Sequence, residues 1–162
     1  MLPNSISRIE EGCDMTQSKN AKNMFLDGFN CAQAVFTTYG EDRGVDGETA
    51  RKIAGPFGGG MARLGEVCGA VTGAFMAIGL EHGMIDAEDG GARDRCYESI
   101  NRFAARFREK HGSIICRELI ECDISDVNER LKAAERGVFG ELCPRLVEDA
   151  GQILEEILND TK

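Results

Sequence analysis

The chain has 162 residues, of which 42% are hydrophobic and 29% are charged, and its net charge is −9. This length suits one domain with its own core, and the composition excludes an intrinsically disordered chain. Because acidic residues outnumber basic ones and no segment carries a basic stripe, nucleic acids and anionic membranes are not expected as partners. We expect one domain over residues 1–162, with 1–17 as a loosely ordered N-terminal extension and 18–159 as the helical core.

Apolar residues recur at helical spacing along most of the chain, and no alternating β pattern of useful length occurs. The sequence therefore predicts an all-α bundle of six or seven helices, some of them short, with a glycine-rich loop before the third. In chain order the predicted helices span 18–39, 47–54, 66–81, 90–110, 114–122, a segment between Ser125 and Gly137, and a last helix that begins at Cys143. The expected caps are Asp46 for the second, Asp86 or Asp89 for the fourth, Ser113 for the fifth and Ser125 for the sixth. The fourth helix is expected to stop at His111-Gly112 and the sixth before Gly137.

The longest apolar stretch, 67–80, has 14 residues, whereas a membrane span needs about 20. It therefore predicts a buried helix. The first residues contain neither a basic region followed by an apolar run nor a twin-arginine pair, so a cytoplasmic location is expected.

The glycine-rich loop lies at 55–65. It lacks the Gly-x-x-x-x-Gly-Lys-[Ser/Thr] string and follows no strand, which argues against a nucleotide-binding loop. Two interpretations stay open: a mobile or tightly turned connector, or a small-anion site where the loop delivers free amides to the start of the third helix.

The chain contains only two histidines, His82 and His111, and each directly precedes a glycine at a predicted helix end. A cation there complements the helix dipole, so helix capping accounts for both. No motif of a zinc protease or of a hydrolytic triad occurs.

The chain contains seven cysteines. The number is odd and no secretion signal precedes them, so a fully paired disulfide framework is not expected. Redox chemistry, metal binding and simple burial remain as interpretations.

Four motifs occur in order: Gly28-Phe-Asn-Cys-Ala-Gln-Ala34, Cys68-Gly-Ala-Val-Thr-Gly73, Cys116, and Cys143-Pro-Arg-Leu-Val147. Over about residues 20–158 the chain resembles the C_GCAxxG_C_C family of redox-active proteins, which is defined by four cysteines. The resemblance implies a redox role without specifying a reaction. The cysteines that match the family pattern are Cys31, Cys68, Cys116 and Cys143, and those outside it are Cys13, Cys96 and Cys122.

Cys68, Cys116 and Cys143 fall at predicted helix starts, where the partial positive charge favours a thiolate. Cys31 lies in the middle of the first predicted helix, on an apolar face directed at the core. We expect the helix starts to gather around Cys31 at one end of the bundle. Cys68 is predicted to be the most acidic and most reactive thiol, because the adjoining loop leaves its helix start accessible.

Gly69 and Gly73 belong to a small-residue face of the third predicted helix. Because glycine in a helix costs about 1 kcal/mol relative to alanine, both suggest close approach by another helix or by a ligand. They are the candidate cofactor-binding residues.

Three functions stay open for the four family cysteines. They can exchange electrons as dithiols and disulfides, bind a metal ion or an iron–sulfur cluster in an electron-transfer protein, or serve as structural residues of a non-catalytic interaction protein. The cysteines are separated by 36, 47 and 26 residues, without the short pairs usual at metal sites. Accordingly the expected cofactor is a metal ion, an iron–sulfur cluster or none, and the expected partner is a redox partner or a small molecule. Enzymatic activity and homodimer formation are left undecided.

Overall fold

The computed structural model describes residues 16–160, and this part of the chain contains eight α-helices and no strand. The all-α prediction is confirmed. Cys13 and residues 1–15 of the expected extension lie outside the described residues. The helices are α1 (Gln17–Leu26), α2 (Cys31–Glu41), α3 (Gly47–Ala54), α4 (Gly69–His82), α5 (Gly90–His111), α6 (Cys116–Ile120), α7 (Val127–Glu135) and α8 (Cys143–Asn159).

Several helix ends follow the local sequence signals. The Asp46 side chain accepts a hydrogen bond from the Thr49 amide at 3.0 Å and caps α3. Asp89 caps α5 in the same way, and Gly112 ends that helix with a left-handed φ of 83°. Asp126 rather than Ser125 caps α7. Helix boundaries are therefore set largely by side chains within one turn.

The first predicted helix, 18–39, is wrong as a single element because it is divided into α1 and α2. Gly28 takes a φ of 111° between them, and Asn30 then forms a capping box with Gln33. The side chain of Asn30 accepts from the Gln33 amide at 2.9 Å, and the Gln33 side chain accepts from the Asn30 amide at 3.1 Å. This arrangement starts a new helix at Cys31.

The third predicted helix begins at Gly69, three residues later than expected. Its predicted first turn is extended instead, and Val67 forms an isolated antiparallel bridge with Ile115. The preceding 55–65 segment begins with a short 3₁₀ turn, Gly55–Phe57, and a π-helical turn, Val138–Leu142, leads into α8.

The main core lies where α2, α4, α5 and α8 meet, and Tyr39, Phe103, Phe107 and Leu154 are fully buried there. Helix α1 packs on α8, and beside it the Tyr39 hydroxyl of α2 donates to a Glu155 carboxylate oxygen of α8 at 2.7 Å. Within residues 16–160, no helix combines the length and the apolar character needed to cross a membrane.

Helix α4 packs tightly against α2 through its glycines. A methyl group added at Gly73 would lie 2.9 Å from the Ala32 carbonyl oxygen and 3.0 Å from the Val35 Cβ. At Gly69 it would lie 3.0 Å from the Ala32 amide nitrogen. Close helix packing, one of the two interpretations of this small-residue face, therefore accounts for Gly73.

Candidate functional site

The four family cysteines all lie at helix starts. Cys31, Cys116 and Cys143 are the first residues of α2, α6 and α8, and Cys68 is the N-cap of α4. The expectation that Cys31 lies in mid-helix is therefore wrong, because the capping box at Asn30 begins a second helix there. Cys31, Cys68 and Cys116 lie at starts with non-helical caps, where the helix dipole favours negative charge. At Cys143 the π-helical turn Val138–Leu142 continues directly into α8, and the Cys143 amide donates to the Val138 carbonyl oxygen.

The isolated bridge brings α4 and α6 together at their starts. The Cys68 amide donates to the Ile114 carbonyl oxygen at 2.8 Å, and the Cys116 amide donates to the Glu66 carbonyl oxygen at 2.6 Å. These two hydrogen bonds flank the Val67–Ile115 bridge. Cys68 and Cys116 consequently occupy neighbouring positions, although 47 residues separate them in the sequence.

Cys31 and Cys143 form the second contact of the group, in which the Cys31 thiol donates a hydrogen bond to the Cys143 sulfur. Cys31 also lies beside α4, since a methyl group at Gly69 would be 3.1 Å from its Cβ. Every pair among the four thiols is close enough for the charge on one to change the pKa of another. The structure thus brings the four predicted site residues together.

All four cysteines line one cavity of about 580 Å³, a volume typical of small-molecule sites. Cys68, Cys116 and Cys143 are only 4%, 7% and 7% exposed, so a molecule that contacts them would have to enter this cavity. Its apolar wall is formed by Phe25, Leu119, Ile120, Ile124, Phe139 and Leu146, and its polar side chains are those of Asn30, Arg63 and Arg130.

The thiols differ in acidity. Burial raises the pKa of Cys68 to about 11 and that of Cys116 to about 12. The hydrogen bond to Cys143, followed by burial, raises the pKa of Cys31 well above its ordinary value. The same hydrogen bond lowers the pKa of Cys143, because a thiolate accepts it. The prediction that Cys68 is the most acidic thiol is therefore wrong, since its buried position outweighs its place at a helix start.

The glycine-rich loop forms one rim of the cavity through an uncommon backbone turn. Five consecutive residues, 59–63, are left-handed, with φ values between 50° and 67°, and three of them are not glycine: Met61, Ala62 and Arg63. A left-handed conformation costs a non-glycine residue roughly 1–2 kcal/mol. Such strain is retained where the surroundings impose it, commonly at functional sites.

Contacts with α6 hold this loop in place. Gly60 lies against Cys116, and a methyl group on Gly60 would be 2.7 Å from the Cys116 Cβ. The Arg117 side chain donates to the carbonyl oxygens of Gly65 at 3.1 Å and Leu64 at 2.9 Å. The loop is thus a tightly turned connector. A small-anion site at the start of α4 stays a prediction.

The remaining predicted residues occupy other positions. Gly69 lines the cavity, whereas Gly73 packs against α2, and their role in binding a cofactor stays a prediction. Neither His82 nor His111 lines the cavity. The His111 ring contacts Phe107 with ring centroids 4.6 Å apart, and its Nε2 lies 3.1 Å from an Asp149 carboxylate oxygen.

The two cysteines outside the family pattern that the structure describes do not line the cavity. Cys96 is buried in the main core, and Cys122 is partly buried beside the apolar cluster that contains Cys116 and Cys143. Between residues 16 and 160, no group of three or more His, Cys, Asp or Glu side chains is arranged to hold a metal ion.

Three cavity residues were missed from the sequence: Asn30, Arg63 and Arg130. The Asn-x-x-Gln pattern that begins at Asn30 was available as a helix-start signal. Nothing local distinguishes Arg63 or Arg130 from the other surface arginines, since only the folded chain directs them to the cavity.

The sequence model of the family described as "Putative redox-active protein (C_GCAxxG_C_C)" matches residues 29–157. This range includes all four cavity cysteines and most of the chain. No curated protein and no solved structure matches the chain.

Proposed function

The chain belongs to the C_GCAxxG_C_C family of redox-active proteins, and from that membership and the cavity geometry we propose that it performs thiol–disulfide exchange. In this proposal Cys143 is the attacking thiol and Cys31 the resolving thiol. The observation that carries it is the hydrogen bond from Cys31 to Cys143 within a cavity that a small reactant can enter.

Cys143 has the properties of the attacking group. The thiolate rather than the thiol is the nucleophile, and the hydrogen bond from Cys31 lowers the pKa of Cys143. The Cys143 amide already donates to the Val138 carbonyl oxygen, because the π-helical turn runs directly into α8. The acidity of Cys143 therefore comes from the Cys31 hydrogen bond rather than from a free helix start. Cys68 and Cys116 stay protonated near neutral pH and do not compete for the first attack.

The reaction balances without a metal or a protein base. The Cys143 thiolate attacks one sulfur of an incoming disulfide, forms a mixed disulfide and releases the other half as a thiolate. The hydrogen bond to a Cys143 thiolate, which was the main cause of the high pKa of Cys31, is then gone. Cys31 therefore becomes easier to deprotonate, and the released thiolate accepts its proton.

The Cys31 thiolate then attacks the Cys143 sulfur of the mixed disulfide and releases the second half of the substrate. The protein ends with one Cys31–Cys143 disulfide, and the substrate disulfide has been reduced to two thiols. A reducing partner restores the dithiol.

A cytoplasmic location is part of the proposal, because a dithiol that starts the cycle reduced requires a compartment that keeps thiols reduced.

Partial oxidation of the reduced protein tests the mechanism. After a brief exposure to a small disulfide, free thiols are alkylated and the linked peptides are identified by mass spectrometry. We expect a Cys31–Cys143 link to form first. Cys31→Ser should stop the reaction at a mixed disulfide on Cys143, and Cys143→Ser should prevent the first attack near neutral pH.

Cys96→Ser is the matched control, because Cys96 is a buried thiol outside the cavity. It should react as the unchanged protein does. A first disulfide that excludes Cys143 would refute the assignment. Metal analysis of the anaerobically purified protein adds a second check, since stoichiometric metal that is lost on changing any cavity cysteine would favour the metal-binding alternative.

A further inference from the structure

The burial of the cavity cysteines limits the size of their reaction partner. The three thiols of α4, α6 and α8 are nearly covered, and the way to them leads through a cavity of about 580 Å³. A disulfide on the surface of a folded protein could reach the thiols only if the protein residues around it also entered the cavity. A low-molecular-weight disulfide can enter the cavity by itself and is therefore the better fit.

The charge of the cavity wall is the second constraint. The charged side chains among the described residues that line it are Arg63 and Arg130, and both are cationic. The chain as a whole carries a net charge of −9, with 28 acidic residues. A wall with two cations and no carboxylate is therefore the opposite of the average surface of this protein.

Neither arginine has its charge neutralised by an acidic side chain in the described part of the chain. Arg130 is held in place because its Nη1 donates to the Ile124 carbonyl oxygen at 2.9 Å. Arg63 is placed by the left-handed turn, in which its backbone has a φ of 67°. By contrast, Arg117 beside the same loop is paired with Glu66 at 2.7 Å.

We propose that the cavity binds a small organic disulfide that carries negative charge, with Arg63 and Arg130 attracting its anionic groups and the apolar wall covering its carbon chain. This inference rests on the proposed function and specifies its substrate class. In the reaction, Cys143 takes one half of the disulfide as a mixed disulfide and the other half leaves as an anionic thiolate. Resolution by Cys31 releases the second half, so that one protein disulfide and two substrate thiols result.

Three disulfides with similar two-carbon arms test the charge preference: dithiodipropionate, which is anionic, bis(2-hydroxyethyl) disulfide, which is neutral, and cystamine, which is cationic. The rate at which each oxidises the reduced protein near neutral pH is divided by its rate with 2-mercaptoethanol, which corrects for intrinsic reactivity. We expect the corrected rate for dithiodipropionate to exceed that for cystamine by about tenfold or more at low salt, because clefts of one charge raise association rates by at least that factor.

The arginine variants assign this preference to the cavity. Arg63→Gln and Arg130→Gln should each reduce it, whereas Arg130→Lys, which keeps the charge, should retain most of it. Arg108→Gln is the matched control, because Arg108 is an exposed arginine of α5 outside the cavity. Arg63 is exposed, so its variant tests the inference even if Arg130→Gln fails to fold.

Equal corrected rates for the three disulfides, or a preference unchanged in Arg63→Gln and Arg130→Gln, would overturn the inference and leave dithiol exchange intact. If none of the three disulfides oxidises the protein, the inference and the proposed function fail together.

Discussion

Replacing Gly73 with alanine tests whether this glycine serves helix packing. The added methyl group would lie 2.9 Å from the Ala32 carbonyl oxygen and 3.0 Å from the Val35 Cβ. The oxygen belongs to the backbone of α2 and cannot rotate away, so the two helices must separate. Such overpacking costs about 1–3 kcal/mol, and the close backbone contact places Gly73→Ala near the upper end.

Alanine also favours helix formation by about 1 kcal/mol relative to glycine. We therefore expect Gly73→Ala to lower the free energy of unfolding by about 2 kcal/mol net. For a chain of this size, that corresponds to a fall of about 4–8 °C in the midpoint of thermal unfolding.

Gly79→Ala provides the matched control within the same helix. A methyl group at Gly79 meets nothing within 4 Å, so only the gain in helix propensity, up to about 1 kcal/mol, remains. Urea unfolding followed by far-ultraviolet circular dichroism measures both variants. If Gly73→Ala proved as stable as Gly79→Ala, close packing would not explain this glycine, and the ligand interpretation would gain support.

Three other predictions follow from the same structure. Brief iodoacetamide treatment near neutral pH should label Cys143 before the other cavity thiols. Cys31→Ala should move the pH profile of Cys143 labelling to higher pH, because the hydrogen bond that lowers the pKa of Cys143 is lost. Faster labelling of another cavity thiol would contradict this. Gly60→Ala should reduce the free energy of unfolding by at least about 1–2 kcal/mol, since it places a side chain at a φ of 65° and 2.7 Å from the Cys116 Cβ; unchanged urea unfolding would refute it. Burial lowers the pKa of His111, so the unfolded chain binds the proton more readily than the folded chain. The free energy of unfolding should therefore fall as the pH drops below about 6.5 towards the lower folded-state pKa. The free energy of unfolding of His111→Gln should fall less over this pH range, and an equally steep fall would exclude His111 as the cause.

The sequence by itself determined the elements whose cause is local. Asp46 caps α3 through the backbone amide three residues later, as does Asp89, one of the two aspartates expected at the start of α5. Gly112 ends α5 because glycine tolerates positive φ. The last helix begins at Cys143-Pro144 as expected, since proline, which has no backbone N–H to donate, is tolerated in the first turn of a helix. The order of the cysteine motifs was likewise sufficient to predict the family.

The acidity of the thiols was decided by tertiary structure. A helix start favours a thiolate, and that local rule made Cys68 the expected nucleophile. Burial has the opposite effect and prevails at Cys68, whereas Cys143 gains a hydrogen-bond donor from the start of another helix. A pKa depends on charges and donors within a few ångströms, whatever their distance along the chain.

The same reasoning applies to the cavity wall. Arg63 and Arg130 belong to separate loop and helix segments, and only folding directs both to the space beside the cysteines. Their effect is electrostatic and acts through space, so no spacing in the sequence records it. The sequence therefore specified the locally capped helix ends and the cysteine motifs, while packing between distant segments decided which thiol is most acidic and what charge surrounds it.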